Sequence, residues 1–590
     1  MILIKTPIDL IDSDENHERL LLGDWCLKNQ EDILGSKDYF NRVPYHWDDR
    51  DKYSLDYSYL DRLYEETLAQ LADDLNKLHA INQDLRYWRI VLGPWLRFFV
   101  DALFDRYECV RAAKEVGTVT TFVLYSYNLD DWCPADFSEF WTHFTSDEWN
   151  EIIFSECLLD QGIAHTCKDE SIIPLDLKVN EAFNFSNIIK SILKSAASLY
   201  SEVIRHYQTG VIVIGGYVPL RKLIKLQFRL RQLPYLVTPA LALTFSEKKL
   251  MLRDKLCRGT FSSVGFEGFL AKSIRSLMPK VYLEDFLRLK GNVLNTYPDN
   301  PKSIFTANSY HLDDMFKIWA AEKVSDGVPL IIGQHGGTFG MASVNQSEEH
   351  QLKIADKWLS WGWDCNVRDN VVKFSSLQLS GRACIKPSKN GDILHVLSSM
   401  PRYFYQHFSM PVAGQFLLYI ENQLNFLDRL EINYLDFVRI RLDSSNESRG
   451  WDIPKALDVA GYSKHVDRSN ERIPSLLSRS RLCICTHNAT VFLECLEMNF
   501  PTIIFWEPSH HEIRSDAVPF FDLLLEAGIL FYTPEEAAKK VNTVAHNVDE
   551  WWFSDQVQSA RKKFCERYAR SSDDWEREWG KFLLGAKKIS

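Results

Sequence analysis

The chain has 590 residues, 46% hydrophobic and 25% charged, with a formal charge of −12. That length exceeds what one core serves, so two or more domains are expected. The composition is that of a soluble globular protein, and the acidic balance disfavours nucleic acid as a partner. Aromatic residues reach 13%, with 17 Trp, 24 Tyr and 35 Phe. They fit either large mixed cores or a sugar-stacking surface. The 12 Cys are scattered without a C-x₂-C pair. This fits a reducing compartment and argues against a structural zinc site.

In chain order, Met1-Ile-Leu-Ile-Lys-Thr-Pro7 reads as a short strand with no signal sequence, so a cytoplasmic location is expected. From about 55 to 107 the pattern is helical, with Leu60, Leu63, Tyr64 and Leu68 at three- and four-residue spacing and a break at Gly93-Pro94. Residues 118–127 read as a strand and 130–207 as mainly helical, including 188–207. Val211-Ile-Val-Ile-Gly-Gly216 reads as a buried strand, and a basic helix follows with Arg221, Lys222, Lys225, Arg229 and Arg231. That helix is a solvated face, or it meets an anionic acceptor or a membrane surface. The apolar stretch 233–245 is broken by Pro234 and Pro239, so membrane association would be peripheral, at the inner membrane.

Residues 304–308 read as a strand and Asp313–Lys323 as an amphipathic helix. The apolar run of Pro329-Leu-Ile-Ile-Gly-Gln-His-Gly-Gly-Thr-Phe-Gly340 then ends in a polar, glycine-rich turn. Residues 358–363 form a further strand. From about 390 strands are predicted at 393–398, 437–442, 482–486, 502–506 and 529–532. Helices are predicted at 414–427, 473–480, 491–498, 520–527 and 534–546. This alternation predicts a parallel, doubly wound α/β sheet. The expected domains are 1–355, 356–570 and a terminal helix at 571–590 that packs back on the first.

In open α/β sheets, ligands sit at the carboxyl ends of strands. Gly336 and Gly337 let backbone N–H groups approach an anion. His335 titrates near neutrality when unperturbed, and is either a general base or a structural histidine. Glu322, late on the preceding helix, is a secondary catalytic candidate or a solvated acid. Downstream, Thr486, His487, Asn488 and Thr490 open the helix that carries Glu494. They cap it, or they present donors to a phosphate. Ser399 and Arg402 follow one strand end, and Arg441 follows another. Together these strand ends suggest a pocket for a sugar carried on a nucleoside mono- or diphosphate. No Walker loop, G-x-G-x-x-G, G-x-S-x-G or H-E-x-x-H motif occurs.

Gly333-Gln-His-Gly-Gly-Thr-Phe-Gly340, the 358–363 strand and Thr486-His-Asn-Ala-Thr-Val-Phe-Leu-Glu494 closely resemble a family of bacterial transferases of surface-carbohydrate biosynthesis. Leu22-Gly-Asp-Trp-Cys26, Tyr45-His-Trp-Asp-Asp-Arg50 and Tyr87-Trp-Arg-Ile-Val-Leu-Gly-Pro-Trp95 extend the resemblance over nearly the whole chain. The family is more distantly similar to GT-B glycosyltransferases that move acidic keto-sugars from CMP, and loosely to CDP-glycerol glycerophosphotransferases. The resemblance implies two Rossmann-like domains facing across a cleft, the first with large helical additions. It also implies a nucleotide-activated sugar donor on the second domain, and a glycan or lipid-linked acceptor and the base on the first. No cofactor or catalytic metal is implied. Two alternatives are a polyol-phosphate transferase on the same fold and a non-catalytic carbohydrate-binding assembly protein. The His-Pro pair that several CMP-sialic acid transferases use for the nucleotide is absent, and Met400-Pro401 is the nearest match.

Overall fold

A computed structural model describes residues 1–12, 18–27, 41–117, 119, 121–174, 199–200, 202–235, 244–259, 262, 264–365, 367–443, 449–469 and 471–585. Three five-stranded sheets organise them, and every pairing within each sheet is parallel. The first contains β1 (Ile2–Ile4), β2 (Arg19–Leu21), β3 (Asn41–Arg42), β4 (Thr121–Ser126) and β5 (His165–Ser171), ordered β3-β2-β1-β4-β5. The second contains β6 (Val211–Val213), β7 (Ser303–Thr306), β8 (Leu330–Gly333), β9 (Lys357–Ser360) and β10 (Val371–Lys373), in simple sequential order. The third contains β11 (Asp392–Val396), β12 (Val438–Arg441), β13 (Ser480–Cys485), β14 (Thr502–Phe505) and β15 (Leu530–Phe531), ordered β12-β11-β13-β14-β15.

The inner strands are apolar without alternation because helices cover both faces of a parallel sheet. Every residue of β7, β8, β13 and β14 is buried. The edge strand β5 is exposed and reads His-Thr-Cys-Lys-Asp-Glu-Ser, charges that discourage a further strand from adding to that edge. In the third sheet the winding reverses between β11 and β13. A ligand crevice opens at such a reversal, outside the carboxyl ends of the strands.

The second and third sheets are two Rossmann-like units facing across a cleft, as the resemblance implies. The changeover between them lies between Lys373 and Asp392, so β9 and β10 belong with β8. The terminal helix Trp575–Gly585 packs on the second sheet, with Trp579 against Phe305 at 5.2 Å between ring centroids.

Three local expectations are corrected. The strands read at 1–7 and 118–127 were not expected to pair: they join a first sheet, an added α/β layer beside the large helical additions. Its strands are short and far apart in sequence, so local pattern does not join them. The region 130–207 contains β5 as well as helices Phe137–His143 and Asp147–Asp160. Most of the helix expected at 188–207 lies outside the described residues. Finally, helix Leu85–Val116 runs straight through Gly93-Pro94. Both residues are buried, and a Cβ at Gly93 would sit 2.7 Å from the Tyr64 hydroxyl. Close packing against helix Arg50–His79 outweighs the one hydrogen bond that Pro94 forfeits.

Candidate functional site

A cavity of about 680 Å³ lies between the second and third sheets, at the carboxyl ends of their strands. The second sheet contributes Tyr217 after β6, the run Asn308–Asp313 after β7 and His335–Phe339 after β8. The third contributes Ser398, Ser399 and Met400 after β11, Asp443 after β12, and His487, Ala489 and Thr490 after β13. The two reversal strands, β11 and β13, thus both supply loops to it.

The two glycine- and hydroxyl-rich loops touch. The Gly337 N–H donates to Thr490 Oγ1 at 3.1 Å. A Cβ on Gly337 would lie 2.3 Å from the Ala489 carbonyl oxygen, so only glycine lets the two backbones come this close. Thr338 sits beside it with φ 67°, a conformation that a β-branched residue adopts only under constraint. Its hydroxyl donates to the Gly337 carbonyl at 2.6 Å and accepts from Asn345 Nδ2 at 3.2 Å. Gln334 fixes the turn from below. Its Nε2 donates to the Gly336 carbonyl at 2.8 Å, and its Oε1 accepts from the Trp361 N–H at 2.9 Å and Trp363 Nε1 at 3.0 Å.

His335 packs among Tyr217, Tyr310 and Phe339, at 5.7, 6.4 and 5.3 Å between ring centroids. Burial lowers its pKa to about 4, so the imidazole is neutral at physiological pH. Its Nδ1 has no hydrogen-bond partner among the described residues. His487 across the cavity is also held near 4, chiefly by burial and against the opposing pull of the Asp443 carboxylate, and its Nδ1 is likewise unpartnered. Helix Thr490–Glu497 opens at Ala489 with no side-chain cap, leaving its first N–H groups without that competitor.

Sequence reasoning missed several lining residues. Asp313 accepts from the Phe316 N–H at 2.9 Å as the cap of helix Asp314–Ser325, and burial raises its pKa. His311 is pushed down to about 3 by burial, Lys317 and His335. Asp443 and Tyr217 follow strands directly, a positional signal that was available for both.

The remaining predicted residues lie elsewhere. Glu322 accepts from the Tyr87 hydroxyl at 2.6 Å and pairs with Lys290 at 2.7 Å, which explains an acid in that last turn. Arg402 is 3% exposed, grips the Asp147 carboxylate at 2.8 and 2.9 Å and donates to the Trp25 carbonyl, joining the first and third sheets. Arg441 donates to the Ser469 carbonyl at 2.6 Å and lines a separate hollow with Lys455 and Asp467. Thr486 is buried, bonded to the Val396 carbonyl and the Tyr419 hydroxyl at 2.9 and 2.7 Å. Asn488 is 1% exposed and does not line the cavity. Glu494 pairs with Arg382 at 2.9 Å and accepts from Gln378. The cavity therefore gathers His335, Gly336, Gly337, Ser399, His487 and Thr490 of the predicted set.

Behind the His487 turn, the thiols of Cys483, Cys485 and Cys495 lie within 4.8 Å of one another. They could hold a soft metal ion, but all three are enclosed in the core and none lines the cavity.

An α/β chain with two Rossmann-like units closing on a polar cavity at their strand ends is built to bring two substrates together. The chain belongs to the LIC12162 family of transferases, whose model matches residues 1–583. No curated protein matches it. Among solved structures it is similar to Acinetobacter baumannii MurG (12% identity, 64% of this chain and 99% of that one, TM-score 0.32). It is also similar to the S. aureus MnaA–UDP co-structure (10%, 65% and 99%, TM-score 0.35). A third is WaaG, a glycosyltransferase involved in lipopolysaccharide biosynthesis (10%, 64% and 100%, TM-score 0.28). At these TM-scores the likeness is distant, and the fold is defined by the strand orders given above.

Proposed function

We propose that this transferase is a glycosyltransferase of bacterial surface-glycan biosynthesis, moving a sugar from a nucleotide-activated donor to a glycan or lipid-linked acceptor. The observation that carries the reading is one cavity shared by His335 and His487, each from a different sheet, at the strand ends where the third sheet reverses. The donor phosphate is assigned to the third sheet, near His487, Ser399 and the uncapped start of helix Thr490–Glu497. Those donors stabilise charge as it develops on the departing phosphate. The acceptor enters from the second sheet. His335, neutral and with a free Nδ1, takes the proton from the acceptor hydroxyl as the new glycosidic bond forms. An acidic keto-sugar on CMP is the donor we favour from the family resemblance.

Thermal-shift measurements against CMP, CDP, UDP and GDP test this. A ligand at a hundred times its Kd stabilises by about 2.7 kcal/mol. His335→Ala is expected to keep the nucleotide-induced shift and lose turnover. Retained turnover removes His335 as the base, and phosphorus in the acceptor product converts the reaction to polyol-phosphate transfer. No shift with any nucleotide refutes the donor assignment.

A further inference from the structure

Helix Leu220–Arg229 has two apolar faces, and only one is used. Leu223, Leu226 and Leu230 turn inward to the cluster that holds Trp575 and Trp579. Leu220, Ile224 and Phe228, four residues apart, form a second stripe along the helix. Leu220 and Phe228 are 56% and 62% exposed, and the flanking Tyr217 and Leu233 are 54% exposed each. Arg221, Lys225 and Arg229 run beside that stripe one position on. Lys225 pairs with Glu576, and Arg229 lies against Gly580. Arg221 and Arg231 have no charged partner among the described residues.

The charge of this region is opposite to that of the protein. Between Glu202 and Glu247 lie six Lys or Arg and no Asp or Glu, in a chain of net charge −12. An exposed apolar stripe edged by arginine and lysine matches an anionic lipid surface, where rings and aliphatic chains enter the interface and the cations meet headgroups. A second copy of the chain fits poorly, because pairing this face with itself brings like charges together. No helix among the described residues is long and apolar enough to cross a membrane.

We propose that Tyr217, Leu220, Ile224 and Phe228, with Arg221 and Arg231, form a docking face for an anionic phospholipid surface. Tyr217 belongs to both this face and the cavity, with its ring 5.7 Å from His335. Docking therefore holds the cavity mouth at the lipid surface, where a lipid-linked acceptor resides. That last consequence rests on the glycosyltransferase reading; lipid docking itself does not.

The test is cosedimentation of the full chain with phosphatidylcholine vesicles, with and without phosphatidylglycerol, and needs neither donor nor acceptor. Binding is expected only with phosphatidylglycerol and should weaken as salt rises. Leu220→Ser with Phe228→Ser should lower partitioning roughly tenfold or more. Arg221→Glu with Arg231→Glu should do so by a similar factor. All four side chains are at the surface, and an unchanged melting transition checks that the variants fold. No binding to either vesicle, equal binding to both, or variants that partition like the parent would overturn the proposal. So would a solution dimer that the same variants dissolve.

Discussion

Gly337→Ala probes the contact on which the cavity depends. The added methyl would lie 2.3, 2.4 and 2.8 Å from the carbonyl oxygen, carbonyl carbon and Cα of Ala489. Carbon atoms sit comfortably at about 3.5–4.0 Å, so one backbone must retreat by roughly 1 Å. Overpacking of this kind costs about 1–3 kcal/mol. Retreat also breaks the hydrogen bond from Gly337 to Thr490, worth about 1 kcal/mol. The expected loss is about 2–4 kcal/mol, released either by unfolding or by parting of the two sheets. Gly336→Ala is the milder comparison, since its methyl meets the Thr490 hydroxyl at 3.3 Å and the Phe339 ring at 3.9 Å, and a shift of a few tenths of an ångström relieves the closer contact without moving either backbone. Thermal unfolding should show Gly337→Ala melting several degrees below both parent and Gly336→Ala, and nucleotide-induced stabilisation should fall with it. If Gly337→Ala melts with the parent and keeps the full nucleotide shift, the loop contact is not what holds the cavity together.

Arg402→Ala should cost about 3 kcal/mol, because it removes the cation paired with the mostly buried Asp147 and leaves it the Tyr403 hydroxyl; urea unfolding measures this, and nucleotide affinity of the folded fraction should not change. Glu494→Gln should likewise leave the nucleotide-induced shift unaltered, whereas His487→Ala should reduce it. Stability should decline with acid from about pH 6.5. His335, His395 and His487 are held near 4 and His311 and His511 near 3 in the folded state, so the unfolded chain takes up their protons first. The decline should lessen below about pH 4, where His335, His395 and His487 take up protons in the folded state, and flatten for these groups below about pH 3. A melting temperature constant between pH 6.5 and 4.5 would refute the buried-histidine account.

Legibility followed how local each signal is. The strand–turn–helix units of β7 to β9 and of β11 to β15 are short and continuous in sequence, and their apolar runs mark them within a few residues; β10, a three-residue edge strand, was not read. His335 and His487 were found because each stands just after such a run. Arg402 and Arg441 carried a similar positional signal, and Glu494 lies on the helix that follows β13, yet their side chains turn to Asp147, Ser469 and Arg382. Which way an arginine turns depends on partners distant in sequence, 28 residues away for Arg441 and 255 for Arg402, and position after a strand does not encode them. In the first sheet the strands at 1–7 and 118–127 were read but their pairing was not: β1 pairs with both β2 and β4, and more than a hundred residues separate β1 from β4.

The polypeptide passes between the second and third sheets twice, once after Lys373 and again after Tyr568, and the two passages lie side by side. The Ser376 N–H donates to the Arg570 carbonyl at 2.7 Å, and the Ser572 N–H to Ser380 Oγ at 3.0 Å. Two adjacent tethers act as a door hinge where one would act as a swivel. Any rotation of one sheet against the other would be restrained by both segments at once, which favours a single alignment of His335 and His487.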